Sequence, residues 1–186
     1  MPRTQYYTAT SIDGFIADPD NSLEWLFRLR QSAAGQQEYP DFIAQVGALA
    51  MGSTTYRWIL DHERLTEQPD RWPYRQPTWV FSTRDQPTVP GADIRFVSGE
   101  VAGVHAEMAR AAGDQNIWLV GGGDLVGQFA DADLLDDIIL GVGSVFLGGG
   151  APLLPRRITP PRLRLVSASP DGDDFVTLRY ELRREP

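Results

Sequence analysis

Apolar residues recur along this chain in two rhythms, and each rhythm predicts a different element. Between 101 and 112, Val101, Val104, Met108, Ala109 and Ala112 fall at i, i+3, i+7, i+8 and i+11, one face of an amphipathic helix. Near the C-terminus the period drops to two. Leu163 and Leu165 alternate with Arg162 and Arg164, and Val176, Leu178, Tyr180 and Leu182 alternate with Thr177, Arg179, Glu181 and Arg183. Pro170-Asp-Gly-Asp173 separates these two runs, which predicts an antiparallel hairpin. Ala48–Met51 and Asn116–Val120 carry almost no polar interruption, the pattern of strands covered on both faces at the centre of a parallel sheet.

Shorter signals fill the gaps. Gln5–Thr10 is β-prone and is stopped by Ser11-Ile-Asp-Gly14. A polar loop then leads into an aromatic helix over Leu23–Phe27, with Asn21 or Ser22 as its N-cap. Asp41–Val46 is predicted as a second short helix. Gly52–Thr55 opens a helix carrying Tyr56, Ile59 and Leu60, and Gly121–Gly123 precedes one carrying Leu125, Val126 and Phe129. Thr78–Phe81 and Ile94–Val97 read as strands, as do Ile138–Leu140 and Ser144–Leu147, which Gly148–Gly150 ends. The sum is an α/β chain forming one domain over residues 1–186, with a mostly parallel centre and an antiparallel C-terminal hairpin.

Composition narrows the chemistry. The 186 residues include 17 basic and 25 acidic side chains, for a formal net charge of −8. Every basic residue is Arg, Cys is absent, and the two His are His62 and His105. Without Cys there is no thiolate nucleophile, disulfide or Cys-ligated metal; without Lys there is no Schiff base and no P-loop lysine. The acidic balance disfavours nucleic acid and anionic membrane surfaces. No apolar run approaches the ~20 residues that cross a bilayer, and the first residues lack the apolar core of a signal peptide. The expectation is a cytoplasmic protein that acts on a small molecule, with neither nucleic acid nor membrane as partner.

Three junctions share one design, an apolar strand followed by glycine or small hydroxyl residues: Met51–Tyr56, Phe81–Arg84 and Val120–Asp124. Ligands of open α/β sheets sit beyond the carboxyl ends of the strands, and helix N-termini attract phosphate. Any one junction alone reads better as a tight turn with a capped helix. All of them together suggest a dinucleotide lying across the sheet edge, with Arg84 as a fixed cation for a phosphate.

Four motifs then occur in order: Thr10-Ser-Ile-Asp-Gly-Phe-Ile-Ala17, Ala48-Leu-Ala-Met-Gly-Ser-Thr-Thr-Tyr56, Ile117-Trp-Leu-Val-Gly-Gly-Gly123 and Val145-Phe-Leu-Gly-Gly-Gly-Ala-Pro-Leu153. With Phe175–Leu182 as a closing strand, they resemble the dihydrofolate-reductase-like family, on the branch related to the reductase domain of the bifunctional riboflavin-biosynthesis deaminase/reductase. The resemblance implies a twisted mixed sheet flanked by helices on both faces, a homodimer, and hydride transfer from NADPH or NADH to a small substrate, heterocycles among the candidates. On matching positions, Ala9 and Ile16 would line the nicotinamide side. Gly52, Ser53, Thr54 and Thr55 would hold the pyrophosphate and adenosine side; Ser82, Thr83 and Arg84 would lie near the adenosine ribose. Val120, Gly121, Gly122, Gly123, Asp124 and Leu125 would pack on the pyrophosphate. One departure stands out: Ser53 occupies the place where the family usually has an Arg for the 2′-phosphate of NADPH, which leaves Arg84 or Arg57 to supply that charge.

A hydride-transfer enzyme needs positioning and a proton source, because the cofactor carries the reactive chemistry. Glu24 on the first helix is the candidate proton donor or substrate anchor, against the reading of a solvated carboxylate, and Trp25 and Tyr56 are candidate substrate contacts. Asp13 reads mainly as a turn former, Asp131–Asp137 as a solvated helix exit rather than a metal site, and His105 as structural. Trp72 and Tyr74, with Arg71 and Arg75, either stack a ligand or order a surface loop. The competing function is a nucleotide-binding or dimeric interaction module that keeps the fold without turnover.

Overall fold

In the computed structural model, which describes residues 2–183, strand β1 (Thr4–Ser11) turns at Gly14 into the short β2 (Phe15–Ala17). The one-turn helix α1 (Glu24–Phe27) and the longer α2 (Ala33–Ile43) follow. Next come β3 (Val46–Gly52), α3 (Ser53–His62), β4 (Thr78–Phe81), β5 (Ile94–Val97) and α4 (Val101–Ala112). The last third holds β6 (Asn116–Gly121), α5 (Gly123–Asp131), β7 (Asp137–Gly143), β8 (Ala151–Pro152), β9 (Leu163–Asp171) and β10 (Phe175–Leu182).

Eight strands form one sheet in the order β5-β4-β3-β6-β1-β7-β10-β9, while β2 pairs with β8 apart from it. All neighbours from β5 to β7 are parallel; β10 is antiparallel to both β7 and β9. This is the mixed sheet and C-terminal hairpin that the alternating pattern predicts. The unbroken apolar runs in β3 and β6 follow from burial on both faces. Ala48, Ala50, Ile117 and Leu119 pack under α4 and α5 with Val101, Met108, Val126 and Phe129. Leu49, Trp118 and Ile139 face the other way, against Phe42 of α2, and Met51 packs with Tyr56, Ile59 and Leu60 of α3. Removing a side chain such as the wholly buried Phe129 costs about 3–5 kcal/mol in cores of this kind. The last strand, β9, is an edge, and its Leu165 and Val166 are half exposed.

Three local expectations are corrected. The helix expected at Asp41–Val46 runs from Ala33 to Ile43, and Val46 already belongs to β3. Ser32 starts it, its hydroxyl accepting the Gly35 N–H at 3.1 Å. Only Gly35 and Phe42 are buried on α2, so no apolar stripe marks it. Ser144–Leu147 is loop rather than strand: Val145 accepts the Ile12 N–H, but the Leu147 and Gly148 amides donate to the Asp13 carboxylate at 3.1 and 2.7 Å instead of to a ladder. Neither expected residue caps α1: Leu23 holds the N-cap position without a side-chain cap, Ser22 lies one residue earlier with its Oγ accepting the Glu24 N–H at 3.1 Å, and Asn21 sits at φ +59° in the turn before.

His105 is structural, as expected. Its Nε2 lies 2.8 Å from Thr4 Oγ1, and burial lowers its pKa, so the ring is neutral. The acidic run disperses to separate partners: Asp131 to Arg156, Asp133 to Arg162, Asp136 to the Thr4 N–H and Asp137 to Arg3.

Candidate active site

The carboxyl ends of the central parallel strands open into one cleft of about 1150 Å³, above the roughly 300–1,000 Å³ of ordinary ligand pockets and large enough for two molecules side by side. Its two walls differ in kind.

One wall is backbone and small side chains. Gly121, at φ +140°, and Gly122 carry the chain from β6 into α5, and Thr54 and Thr55 of the first turn of α3 face them. A Cβ on Gly121 would meet only Thr55 Oγ1 at 3.8 Å, and one on Gly122 only Ile16 Cδ1 at 4.0 Å, so the space between the two loops is kept open by the absence of side chains. The hydroxyls of Thr54 and Thr55 make no side-chain hydrogen bond among the described residues. Two helix N-termini, of α3 and α5, open on this wall with their unpaired first-turn amides and positive dipole ends. Gly123 serves a different end: a Cβ there would overlap the Pro152 carbonyl, so it allows α5 to dock on the β8 segment.

The other wall is aromatic. Trp118 of β6 forms its centre, with Tyr7 of β1, Tyr39 and Phe42 of α2, and Tyr74 grouped around the indole at ring separations of 5.4–6.5 Å. Trp58 of α3 stacks on His62 at 4.5 Å, and Phe27 of α1 stacks on the same imidazole at 5.3 Å. Burial raises the Tyr7 hydroxyl to about 12, with the Glu38 charge adding to it; burial likewise pushes Tyr39 and Tyr74 upward. All three phenols keep their protons at neutral pH.

Of the residues named from the resemblance, Ala9, Ile16, Thr54, Thr55, Val120, Gly121, Gly122, Gly123 and Asp124 line this cleft. Gly52 and Ser53 stand behind its lining, where they start α3 and present the two threonines. Leu125 is in the core beneath α5 rather than on the cleft, because its helix position faces the sheet. Ser82, Thr83 and Arg84 form a loop outside the lining. Ser82 Oγ accepts from the Arg84 N–H at 3.1 Å, and Gln86 ties this loop to α3 by accepting from Arg57 Nε at 3.0 Å. Arg57 spends only its Nε–H there and keeps its Nη donors; neither Arg57 nor Arg84 makes a side-chain ion pair among the described residues.

The proposed catalytic and substrate residues fare worst. Glu24 points to solvent, its side chain 76% exposed and 3.5 Å from Arg28 one turn on. Helix α1 has a single turn, and Leu23, Leu26 and Phe27 take its cleft side. Trp25 does not line the cleft; its ring lies beside Gly143 at the end of β7, and its Nε1 is buried without a partner among the described residues. Tyr56 is wholly buried, its hydroxyl donating to the Pro87 carbonyl at 2.6 Å. Asp13 is the turn former expected of it, accepting from Ser11 Oγ at 2.6 Å. Of the Trp72–Tyr74 pair, Tyr74 reaches the cleft and Trp72 packs between Tyr56 and Tyr74. The sequence reasoning missed Tyr7, Tyr39 and Trp118. Tyr7 was detectable, since it shares a strand face with Ala9 at a spacing of two.

Comparison with known proteins agrees with this geometry. A family model described as the RibD C-terminal domain matches residues 2–177. The protein YwjB of Bacillus subtilis (strain 168), described as uncharacterized, is 30% identical over 178 residues, covering 96% of this chain and 97% of its own. A Shewanella sp. PV-4 structure whose name assigns it to riboflavin biosynthesis superposes with a TM-score of 0.81 at 24% identity, over 98% of this chain and 99% of its own. Dihydrofolate reductase from Enterococcus faecalis, solved in complex with NADP(H), superposes with a TM-score of 0.64 at 12% identity, over 98% of this chain and 97% of its own. At these identities the structural likenesses establish the fold.

Proposed function

The chain belongs to the RibD C-terminal domain family, and we propose from that membership that it is a cytoplasmic pyridine-nucleotide-dependent reductase, using NADPH or NADH to reduce a C=N or C=O bond of a small substrate. The observation that carries this reading is the division of the cleft into a backbone wall and an aromatic wall. The backbone wall fits a dinucleotide: open glycine ground at Gly121 and Gly122, two threonine hydroxyls free to donate, and two helix N-termini for the pyrophosphate. The Enterococcus faecalis enzyme of the same fold was solved with NADP(H). Bound there, the reduced nicotinamide supplies the hydride chemistry; Ala9 and Ile16 would hold its ring, and the aromatic wall would seat the substrate and exclude water. With Glu24 turned outward, the proton comes from water or from a cleft hydroxyl.

Titration with NADPH and with NADH, followed by quenching of the five Trp, tests the reading. Binding of at least one nucleotide supports it, and no binding of either at millimolar concentration would sink it. Arg84 and Arg57 are the cations available for a 2′-phosphate where Ser53 replaces the family's Arg, so Arg84→Gln or Arg57→Gln is expected to weaken NADPH several-fold and leave NADH unmoved.

A second reading, a nucleotide-binding module without turnover, is favoured by one observation. Among the lining residues Asp124 is the only carboxylate, and it sits on the nucleotide wall paired with Arg156 at 3.2 Å. Nucleotide binding without NADPH consumption across a panel of C=N and C=O acceptors would select this alternative.

We further propose that the protein works as a homodimer, with a small molecule and neither nucleic acid nor membrane as its partner. The edge strand β9, with half-exposed Leu165 and Val166, supports pairing with a second copy. The net charge of −8 speaks against nucleic acid, and among the described residues no helix is long and apolar enough to cross a membrane. Sedimentation at micromolar concentration reads the mass directly.

A further inference from the structure

One cation stands close behind the nucleotide wall of the cleft, and it meets that wall through a carboxylate. Asp124, in the first turn of α5, is the only acid among the lining residues. Its Oδ1 accepts from Arg156 Nη1 at 3.2 Å. The same guanidinium donates through Nε to Asp131 Oδ2 at 2.7 Å and through Nη1 to the Pro155 carbonyl at 3.0 Å. Asp124 and Asp131 are about two turns apart on α5, so Arg156 lies lengthwise along the helix between them. Three acceptors on one guanidinium fix its orientation.

The helix is shaped to receive it. Gly127 falls between the two acids, and a Cβ there would stand 2.7 Å from Arg156 Cζ and 2.8 Å from its Nε. Glycine inside a helix is unfavourable, and here it is what lets the guanidinium lie flat on α5. The Arg156 side chain is 25% exposed and that of Asp124 72%, so the cation is held against the protein and the carboxylate stands on the open side. An exposed ion pair adds little to stability, so a seat built this closely points to a role at the cleft.

The charges on the wall define that role. A dinucleotide brings an anionic pyrophosphate to the α5 N-terminus, whose amides and dipole attract it. A lone carboxylate in the same first turn would oppose that attraction, on a chain whose net charge is already −8. The only guanidinium on the lining itself, Arg30, comes from the loop between α1 and α2 and not from this wall. Resting on the reductase reading, we propose that Arg156 is a positioning residue of the nucleotide site: it neutralises and orients the Asp124 carboxylate so that the α5 N-terminus can hold the pyrophosphate. Arg156 is not on the lining, and it acts on the nucleotide through Asp124.

Trp-quenching titrations of Arg156→Met, Asp124→Asn and the double variant test the proposal, with NADPH or NADH, whichever the unsubstituted protein binds more tightly. Arg156→Met is expected to weaken binding about tenfold at low salt and only about twofold at roughly 0.5 M NaCl, because salt screens the exposed repulsion. Asp124→Asn alone should tighten binding about threefold, since it leaves the guanidinium free to act on the phosphates. Combined with Arg156→Met, it should restore affinity to within about twofold of the unsubstituted protein. A double variant as weak as Arg156→Met would mean that packing and not charge was lost, and overturns the proposal. So would affinity unmoved in Arg156→Met, a loss that salt does not reduce, or weaker binding in Asp124→Asn, the variant that decides if Arg156→Met does not fold. Absence of nucleotide binding by the unsubstituted protein removes the reductase reading and this proposal together; binding that ignores these substitutions removes this proposal alone.

Discussion

The chain contains two Gly-Gly-Gly triplets, each following an apolar run, and they do opposite work. Gly121–Gly123 leads from β6 into α5, and its first two members leave room for a ligand: the atoms nearest to an added Cβ are 3.8 and 4.0 Å away. Gly148–Gly150 leads from a loop into β8. Gly148 and Gly150 lie at φ +72° and +127°, and a Cβ on Gly150 would overlap the Ala17 carbonyl. Gly121 and Gly122 of the first triplet make space; Gly150 of the second lets two backbone segments touch. Identical letters are thus told apart only by what stands opposite them.

Substitutions can separate the two roles. Gly150→Ala is expected to be the most damaging, because it combines a left-handed backbone with a collision against main chain. Its cost is about 3 kcal/mol or more by chemical denaturation, with nucleotide affinity of the surviving folded fraction retained. Gly122→Ala should invert that outcome. At φ near −80° it is an ordinary residue, so stability should change by less than about 1 kcal/mol, while the methyl group in the cleft lowers nucleotide affinity roughly tenfold in the Trp-quenching titration. If both changes harmed stability alike, the distinction between the triplets would collapse.

Gly148→Ala isolates backbone strain from collision. Nothing lies within 4 Å of an added Cβ, so only the positive φ remains, worth about 1–2 kcal/mol in the same denaturation assay. Asp13→Asn should have the smallest effect. The Asp13 carboxyl is held below the usual carboxylate range, first by the Ser11 hydroxyl and then by the Leu147 and Gly148 amides. A carboxyl whose folded pKa is depressed stabilises the fold above its ordinary value of 3.8, and that contribution fades as pH falls through the folded value. Asn at this position should therefore lower the melting temperature slightly at neutral pH and flatten part of its decline on acidification.

Legibility in the sequence followed the strength of the burial pattern. Helix α4 and strands β4 and β5 appear at the positions predicted for them: α4 buries Val101, Met108 and Ala112 against the sheet, and β4 buries Thr78, Trp79 and Val80 within it. Helix α2 was misplaced for the converse reason. It buries only Gly35 and Phe42, and Pro40 inside it argues locally against a helix. Ser144–Leu147 has strand-like residues but no partner strand, and Phe146 is 70% exposed. At the cleft, the glycine and threonine positions were readable as motifs. Glu24 was not, because sequence shows that a carboxylate sits on α1 but not which way a single turn of helix faces.

What the sequence alone determined is the α/β class, the parallel centre, the closing hairpin and the glycine-threonine wall of the cleft. These depend on local spacing and on side chains too small to be replaced. The tertiary structure decided the other wall. Tyr7, Tyr39, Tyr74 and Trp118 are far apart along the chain and meet only because β1 and β6 are neighbours and α2 and the segment before β4 fold over the same face. It also decided which phenols spend their hydroxyls on the core, since a hydrogen bond depends on distance in space and not on separation along the chain.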